Sequence, residues 1–223
     1  MTFGPYDEPP PDPSGDVLLA LPPIAVALPL AWDRHLRKRL RHPYQRWLEA
    51  VLSDPPADWP TVRSFWERHH YDVLVARWAD AVGERLVVTV AAAPSEAGRA
   101  LSASEAEVVR RINLAFHHRK WPVQRYDQVV RRAVLPALLS RPAAPAVPVA
   151  TPDWAITRAN QIAAADVAKL QASGVRIDGE LAALSTVRVS ESAPPDDFAP
   201  LALDAAADAV VAAIDAVAAT WSR

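Results

Sequence analysis

The chain has 223 residues, of which 51% are hydrophobic and 22% are charged, and its formal net charge is −2. This composition excludes a disordered protein and is typical of a globular domain. Cys is absent, which excludes disulfides, thiolate metal sites and cysteine nucleophiles.

Residues 1–16 are rich in Pro, Asp and Gly and are predicted to form a disordered lead. Residues 17–28 are apolar and predict one or two short buried strands, broken at Pro22 and Pro23. A helix is predicted from about Ala31, because apolar residues recur every fourth position from Trp32. Pro43 is expected to end that helix and to open the next one.

A longer helix is predicted over residues 61–82, with apolar side chains at core spacing and Gly83 as its C-terminal cap. Residues 85–90 follow and form the clearest strand pattern in the chain. Their nearly continuous apolar run indicates that both faces of the strand are covered, as in a parallel sheet.

Ser102 and Glu105 have the spacing of a capping box and predict the start of a helix. Another helix is predicted after Lys120, residues 141–152 are expected to be extended, and Thr151 is expected to cap a helix that Gly174 ends. A last helix is predicted from Pro200. The order of elements predicts a helix-rich α/β fold with a small, mostly parallel sheet packed by helices.

Charge is distributed unevenly along the chain. Residues 32–132 contain 18 Lys and Arg against 12 Asp and Glu, whereas residues 1–31 contain four acidic residues and no basic one. A basic middle region either attracts a phosphate-bearing anion or forms solvated helix faces. Nucleic acid is not expected as a partner, because the overall balance is acidic and the basic residues form no long tract.

The longest apolar run, residues 17–31, contains three Pro and is too short to cross a bilayer. The segment before it is acidic, which argues against a signal peptide. We therefore expect a cytoplasmic protein with no membrane partner.

Four stretches in the same order resemble the C-terminal part of bacterial sulfotransferases, P-loop-like enzymes that take sulfuryl groups from 3′-phosphoadenosine-5′-phosphosulfate (PAPS). The similarity covers roughly residues 30–185. The stretches are Phe65-Trp66 with Tyr71-Asp72-Val73-Leu74, Arg77-Trp78 and Glu84-Arg85-Leu86-Val87-Val88-Thr89-Val90; Leu101-Ser102 with Glu105-Ala106-Glu107 and Arg110-Arg111-Ile112-Asn113; Trp121-Pro122 with Tyr126 and Val130-Arg131-Arg132; and Pro152-Asp153-Trp154 with Ser173-Gly174-Val175-Arg176 and Gly179-Glu180-Leu181.

The resemblance implies a donor site that this chain lacks in part. The family cradles the donor's phosphosulfate with a Gly- and Thr-containing loop between a strand and a helix, and none of the six Gly here has that setting. The family also presents an Arg and a following Ser to the donor's 3′-phosphate, but the comparable stretch, residues 26–34, has an apolar residue in place of that Arg. Arg34, Arg37 and Ser102 are the candidate donor-binding residues; solvated helix faces for the two Arg, and an N-cap for Ser102, are the alternatives.

The sequence contains six His, and none has an i, i+4 His partner, so no metal site is predicted. His117 and His118 lie near a predicted helix end, where they are expected to complement the helix dipole. The segment from Arg119 to Trp121 does not qualify as a phosphate motif, because Trp121 stands where such a motif needs Gly. No catalytic residue is assigned.

These observations predict a truncated, P-loop sulfotransferase-like fold, with a lead over residues 1–16, a domain over 17–190 and an acidic helical tail over 191–223. The function hypothesis is a sulfotransferase-family protein, degenerate or incomplete, that is inactive alone. No cofactor is expected to bind the chain alone, and PAPS is expected only if a complementary half is supplied. The alternative is a non-catalytic helical interaction module on the same scaffold, with a protein partner or self-association.

Overall fold

The computed structural model of the chain describes residues 2–5, 7–10, 15–91, 99–140 and 149–188, and five helical positions beyond them. These five positions are Ala206, Val210, Ala212, Ala213 and Val217. They fall within the helix predicted from Pro200, most of which lies outside the described residues. Residues 141–148 of the segment predicted to be extended also lie outside them.

A small sheet of four parallel strands confirms the expected strand arrangement. Its order is β1 (Thr2–Phe3), β2 (Val17–Leu21), β3 (Leu86–Val90) and β4 (Arg176–Asp178). The strands β2 and β3 pair from Val17 opposite Leu86 to Leu21 opposite Val90. They occupy the centre of the sheet because apolar side chains on both faces of a parallel strand need cover from both sides.

The edge strand β1 lies within the lead that the sequence predicts to be disordered. Thr2 and Phe3 pair with Leu18 and Leu19 of β2. The Phe3 ring also lies 5.3 Å from the ring of Trp78. A strand of two residues is too short to carry a recognisable sequence pattern. The lead over residues 1–16 stays a prediction.

Most of the described chain is helical, which confirms the helix-rich α/β class. The helices are α1 (Ile24–Leu36), α2 (Tyr44–Leu52), α3 (Pro60–His69), α4 (Tyr71–Val82), α5 (Ala103–His118), α6 (Val123–Tyr126), α7 (Leu135–Leu139) and α8 (Asp153–Ala172). A π-helical stretch, Asp127–Val134, joins α6 to α7, and short 3-10 turns occupy Gly83–Arg85 and Leu181–Ser185.

The first turns of α1 occupy residues 24–28, where the sequence predicts strand. Ile24, Ala25, Ala27 and Leu28 are all buried. A helix start that is apolar on nearly every side shows no 3.6-residue period, so its pattern cannot be distinguished from that of a buried strand. The prediction fails for this reason.

The predicted helix over residues 61–82 is two helices, separated at His70. His70 leaves the helical region, with φ −78° and ψ 88°. The N–H of Tyr71, which begins α4, donates to Oδ2 of Asp166 at 3.1 Å. This partner is far away in sequence, so local periodicity could not reveal the break.

Three predicted helix ends are confirmed. Ser102 and Glu105 form both hydrogen bonds of the capping box of α5. Gly83 caps α4 with φ 63°, and Gly174, with φ 74°, follows the end of α8. Thr151 does not cap α8, because its N-cap is Pro152 and no side chain caps that end.

The chain divides into two compact units, and the division falls within α1. The sheet unit contains Met1–Ala31, Gln45–Ala97 and Thr151–Ser192. The helical unit contains Trp32–Tyr44, Gly98–Ala150 and Ala193–Arg223. That one domain extends from residue 17 to residue 190 stays a prediction.

Asp166 is a buried carboxylate that stabilises the start of α4. It is 4% exposed, and besides Tyr71 it has Nζ of Lys169 at 3.9 Å from Oδ1. Burial raises the pKa of Asp166, and the nearby Asp72 raises it further, against the lowering effects of the Tyr71 N–H and Lys169. The folded protein therefore retains the Asp166 proton to a higher pH than the unfolded chain, so this group's contribution to stability falls as pH rises.

We expect Asp166→Ala to lower the free energy of unfolding by about 2 kcal/mol, because it leaves the buried Tyr71 N–H without its acceptor. Asp166→Asn retains an acceptor oxygen without a buried charge, and should be at least as stable as wild type at neutral pH. Urea denaturation at acidic and at neutral pH measures both variants. A loss in the Asn variant equal to that in the Ala variant would show that the charge itself stabilises the fold.

Candidate functional site

The connection between β2 and α1 lies at the carboxyl end of a parallel strand and the start of a helix, a setting in which proteins often bind anions. Here the strand ends at Leu21 and the helix begins at Ile24, so Pro22 and Pro23 form the whole connection. Proline has no backbone N–H. Neither residue of the connection can therefore donate a hydrogen bond to a phosphate or sulfate.

The carbonyl groups of the same connection are used within the sheet unit. The hydroxyl of Tyr71 donates to the carbonyl of Pro22. The carbonyl of Pro23 accepts the N–H groups of Val26 and Ala27, each at 3.0 Å. Both prolines are buried. The connection is a packed element of the core and does not have the open shape of a ligand cradle.

The three residues predicted to bind the donor, Arg34, Arg37 and Ser102, all lie in the helical unit. Arg34 is in the last turn of α1 and is half-buried. Arg37 follows α1, and its guanidinium lies 2.7 Å from Oδ2 of Asp33. Ser102 is the N-cap of α5, and its hydroxyl accepts the N–H of Glu105 at 3.3 Å. The N-cap alternative for Ser102 is thus confirmed.

A hydrogen-bonded network connects Arg37 with Ser102 through Arg99. Arg37 donates to the carbonyl of Arg99 at 3.0 Å. Arg99 forms a bidentate pair with Glu105, with both N–O distances at 2.7 Å, and Glu105 Oε2 accepts the Ser102 N–H at 2.8 Å. Each of the two cations in this network is already paired with a carboxylate, so the network is electrically balanced and does not attract an anion.

The Glu105 carboxylate of this network is held in its charged form. Burial alone would raise the pKa of Glu105, but the hydrogen bonds from Arg99 and from the Ser102 N–H lower it below its usual range. The same pair raises the pKa of Arg99. Asp33, which is 4% exposed, also accepts the Leu101 N–H at 3.2 Å. The network joins the end of α1 to the start of α5.

The C-terminal end of α1 is a Schellman motif with an arginine in the left-handed position. The N–H of Leu40 donates to the carbonyl of His35 at 2.9 Å, and the N–H of Arg39 donates to that of Leu36 at 3.0 Å. Arg39 has φ 78°. Glycine is the usual residue at this position, because a side chain in the left-handed region is strained.

The C-terminal end of α5 has the same geometry, with a lysine in the left-handed position. The N–H of Trp121 donates to the carbonyl of Phe116, and the N–H of Lys120 to that of His117, both at 3.1 Å. Lys120 has φ 52°. Among the described residues, Arg39 and Lys120 are the two non-glycine residues with positive φ.

Asn113, on α5, fixes the turn that ends α1. Its Nδ2 donates to the carbonyls of Leu36 and Leu40 at 2.8 and 2.7 Å. Its Oδ1 accepts the hydroxyl of Tyr126 at 2.8 Å. The guanidinium carbon of Arg39 lies 5.4 Å from the centre of the Tyr126 ring. These contacts hold the two helix ends, and the cation of Arg39, in a defined arrangement.

A pocket of about 420 Å³ lies where these two helix ends meet within the helical unit. It is lined by four basic side chains and two aromatic ones and by no carboxylate of the described residues. The lining residues are Arg39, Phe116, His117, His118, Lys120 and Trp121. This combination can bind an anion that carries an apolar or aromatic group.

Comparison of the chain with protein-family models, with curated proteins and with solved structures found no match. The sulfotransferase resemblance therefore remains a prediction.

The sequence indicates part of this pocket but points to other roles for its residues. His117 and His118 lie in the last turn of α5, as predicted for residues that complement the helix dipole. Lys120 and Trp121 lie in a segment that lacks the Gly of a phosphate motif. The sequence predicts that Arg39 lies on a solvated helix face. One feature of the sequence could have indicated the pocket. The basic stretch 37–41 follows a helix, and the basic stretch 117–120 ends one.

Among the described residues, no group of three or more His, Asp or Glu side chains is placed to hold a metal ion. Of the helices in the described part of the chain, none has the length and apolar character needed to cross a membrane.

Proposed function

We propose that the chain is a sulfotransferase-family protein that does not transfer sulfuryl groups by itself. The proposal starts from the ordered resemblance over roughly residues 30–185. It is supported by a helix-rich α/β fold with a parallel sheet, which is the class that the resemblance implies. We infer the absence of sulfuryl transfer from the connection between β2 and α1, where Pro22 and Pro23 supply no main-chain N–H.

Sulfuryl transfer places heavy demands on such a connection. The donor carries several negative charges, and charge moves onto the leaving phosphate during the reaction, so preorganised N–H donors and cations must surround it. In this chain the connection from β2 to α1 is prolyl and buried. Of the three candidate donor-binding residues, Arg37 and Ser102 are engaged by Asp33 and Glu105. The interactions that would stabilise the transition state are thus missing from these positions.

The proposal is tested by incubating the chain with PAPS carrying a labelled sulfuryl group and a set of phenol, alcohol and amine acceptors. We expect no acceptor to become labelled above the rate measured without protein. A matched control is Arg37→Lys, which retains the positive charge beside Asp33 and should be equally inactive. Turnover by the wild-type chain, abolished in Arg37→Ala but not in Arg37→Lys, would overturn the proposal.

A further inference from the structure

The pocket of the helical unit has an unusual backbone: both left-handed non-glycine residues of the described chain line it. A residue with a Cβ in the left-handed region costs about 1 kcal/mol relative to glycine. Glycine at Arg39 or Lys120 would therefore give a more stable turn than the residue present. Arg39 recovers part of this cost through its contact with the Tyr126 ring. The Lys120 side chain is exposed, and its long cation in a strained position indicates a purpose other than folding.

The cations of this pocket lie close together without a compensating carboxylate. Within the described residues, no salt bridge joins Arg39 or Lys120 to an acidic side chain. Partial desolvation and the positive charges of Arg41, His118 and Arg39 lower the pKa of His117. The pocket lies at the C-terminal ends of α1 and α5, whose dipoles offset about half a positive charge each and therefore only part of the charge of Arg39 and Lys120. The pocket is positively charged and its described lining contains no anion.

Aromatic side chains form the apolar part of the pocket. The rings of Phe116 and Trp121 pack edge to face, with centroids 4.8 Å apart. The Trp121 side chain remains 37% exposed, and the guanidinium carbon of Arg119 lies 5.4 Å from its ring centre. Phe116 also packs edge to face on the buried Tyr126. A partly exposed indole held by these neighbours is a surface on which a flat ring can stack.

We propose that this pocket binds a small aromatic phosphate monoester, with the phosphate among Arg39, His117, His118 and Lys120 and the ring against Trp121. A dianionic phosphate fits a pocket that holds the cations of Arg39 and Lys120 beside two imidazole side chains, and the pocket volume suits a single small molecule. Nucleotides and simple aryl phosphates share this chemistry. The proposal concerns the helical unit alone and does not depend on the proposed function, whose main observation is the prolyl connection of the sheet unit.

The test is calorimetric titration of the full chain at low ionic strength with phenyl phosphate, adenosine monophosphate, inorganic phosphate and phenol. We expect phenyl phosphate to bind at least tenfold more tightly than inorganic phosphate, and phenol not to bind. Tighter binding of adenosine monophosphate than of phenyl phosphate would identify a nucleotide as the natural ligand, and equal or weaker binding a simple aryl phosphate. Equal affinities for phenyl phosphate and inorganic phosphate, or no binding of either, would overturn the proposal.

Glycine variants separate binding from folding. Lys120→Gly and Arg39→Gly remove a cation and at the same time relieve the left-handed strain. We expect each to weaken phenyl phosphate binding at least tenfold, and Lys120→Gly to raise the melting temperature of the free protein by about 2–4 °C. Arg39→Gly should raise it less, because this variant also loses the contact with the Tyr126 ring. Arg132→Ala, an exposed charge on the π-helical stretch, is the control and should change the affinity less than twofold. Full affinity in both glycine variants would place binding elsewhere and overturn the proposal.

Discussion

Asn113→Ala is expected to lower the free energy of unfolding by about 3 kcal/mol, because three hydrogen bonds of a buried side chain are lost at about 1 kcal/mol each. Asn113 is 2% exposed and Tyr126 is fully buried. The substitution removes the Asn113 side chain as partner of the Leu36 and Leu40 carbonyls and of the Tyr126 hydroxyl, and the Leu36 carbonyl keeps the Arg39 N–H. Denaturant unfolding, followed by far-UV circular dichroism, measures the loss.

Tyr126→Phe is the matched control for this prediction, since it removes one of the three hydrogen bonds and keeps the ring. Burial raises the pKa of Tyr126 to about 12, so its hydroxyl remains a neutral donor throughout the physiological range. We expect a loss of about 1 kcal/mol for Tyr126→Phe, and a smaller effect of Asn113→Ala in the Tyr126→Phe background than in wild type. Strictly additive losses would contradict the assignment of Asn113 as the group that joins α1, α5 and Tyr126.

Arg99→Ala is expected to lower the free energy of unfolding by about 2–3 kcal/mol at neutral pH, since it leaves the Glu105 carboxylate charged and without its bidentate partner. The expected loss is at the lower end for a buried pair because the Arg99 side chain is 24% exposed. Arg99 also donates to the carbonyl of Leu138, and that bond is lost as well.

The pH dependence identifies the origin of this loss. Arg99 holds the pKa of Glu105 below that of the unfolded chain, so the pair's contribution is present above the unfolded pKa and is lost as pH falls through the lower folded pKa. The difference between wild type and Arg99→Ala should therefore shrink on acidification from neutral pH through the range in which Glu105 titrates. Glu105→Gln retains a residue suited to the capping box and removes the charge, so Arg99→Ala should cost less in that background. A difference that stays constant with pH would contradict the ion-pair account.

Sequence patterns predicted the elements whose determinants are local. The strand β3 is a continuous apolar run, and the start of α5 is set by Ser102 and Glu105, three residues apart. Prediction failed where distant residues decide. The break at His70 depends on Asp166, and the all-apolar start of α1 has no periodicity that distinguishes a helix from a buried strand.

The candidate site was predictable only in part, for the same reason. Arg37 and Ser102 are both predicted donor-binding residues, and the structure does bring them together, but Asp33 and Glu105 engage them. The pocket requires the ends of two helices that are far apart in the sequence to meet. No local pattern in the sequence reports that Asn113 joins the turn containing Arg39 to α5.

The central claim is that an aromatic phosphate binds the pocket of the helical unit and not the connection from β2 to α1. Titration of the isotopically labelled chain with adenosine 3′,5′-bisphosphate, observed by amide and indole NMR signals, tests this claim most directly. This compound is both the product of the sulfuryl donor and an aromatic phosphate, so it can report on either location. The signals of Lys120 and of the Trp121 indole should shift during the titration. The amide signals of Ile24 to Ala27, in the first turn of α1, should not shift. Movement of the α1 amides at ligand concentrations that leave Trp121 unaffected would contradict the account.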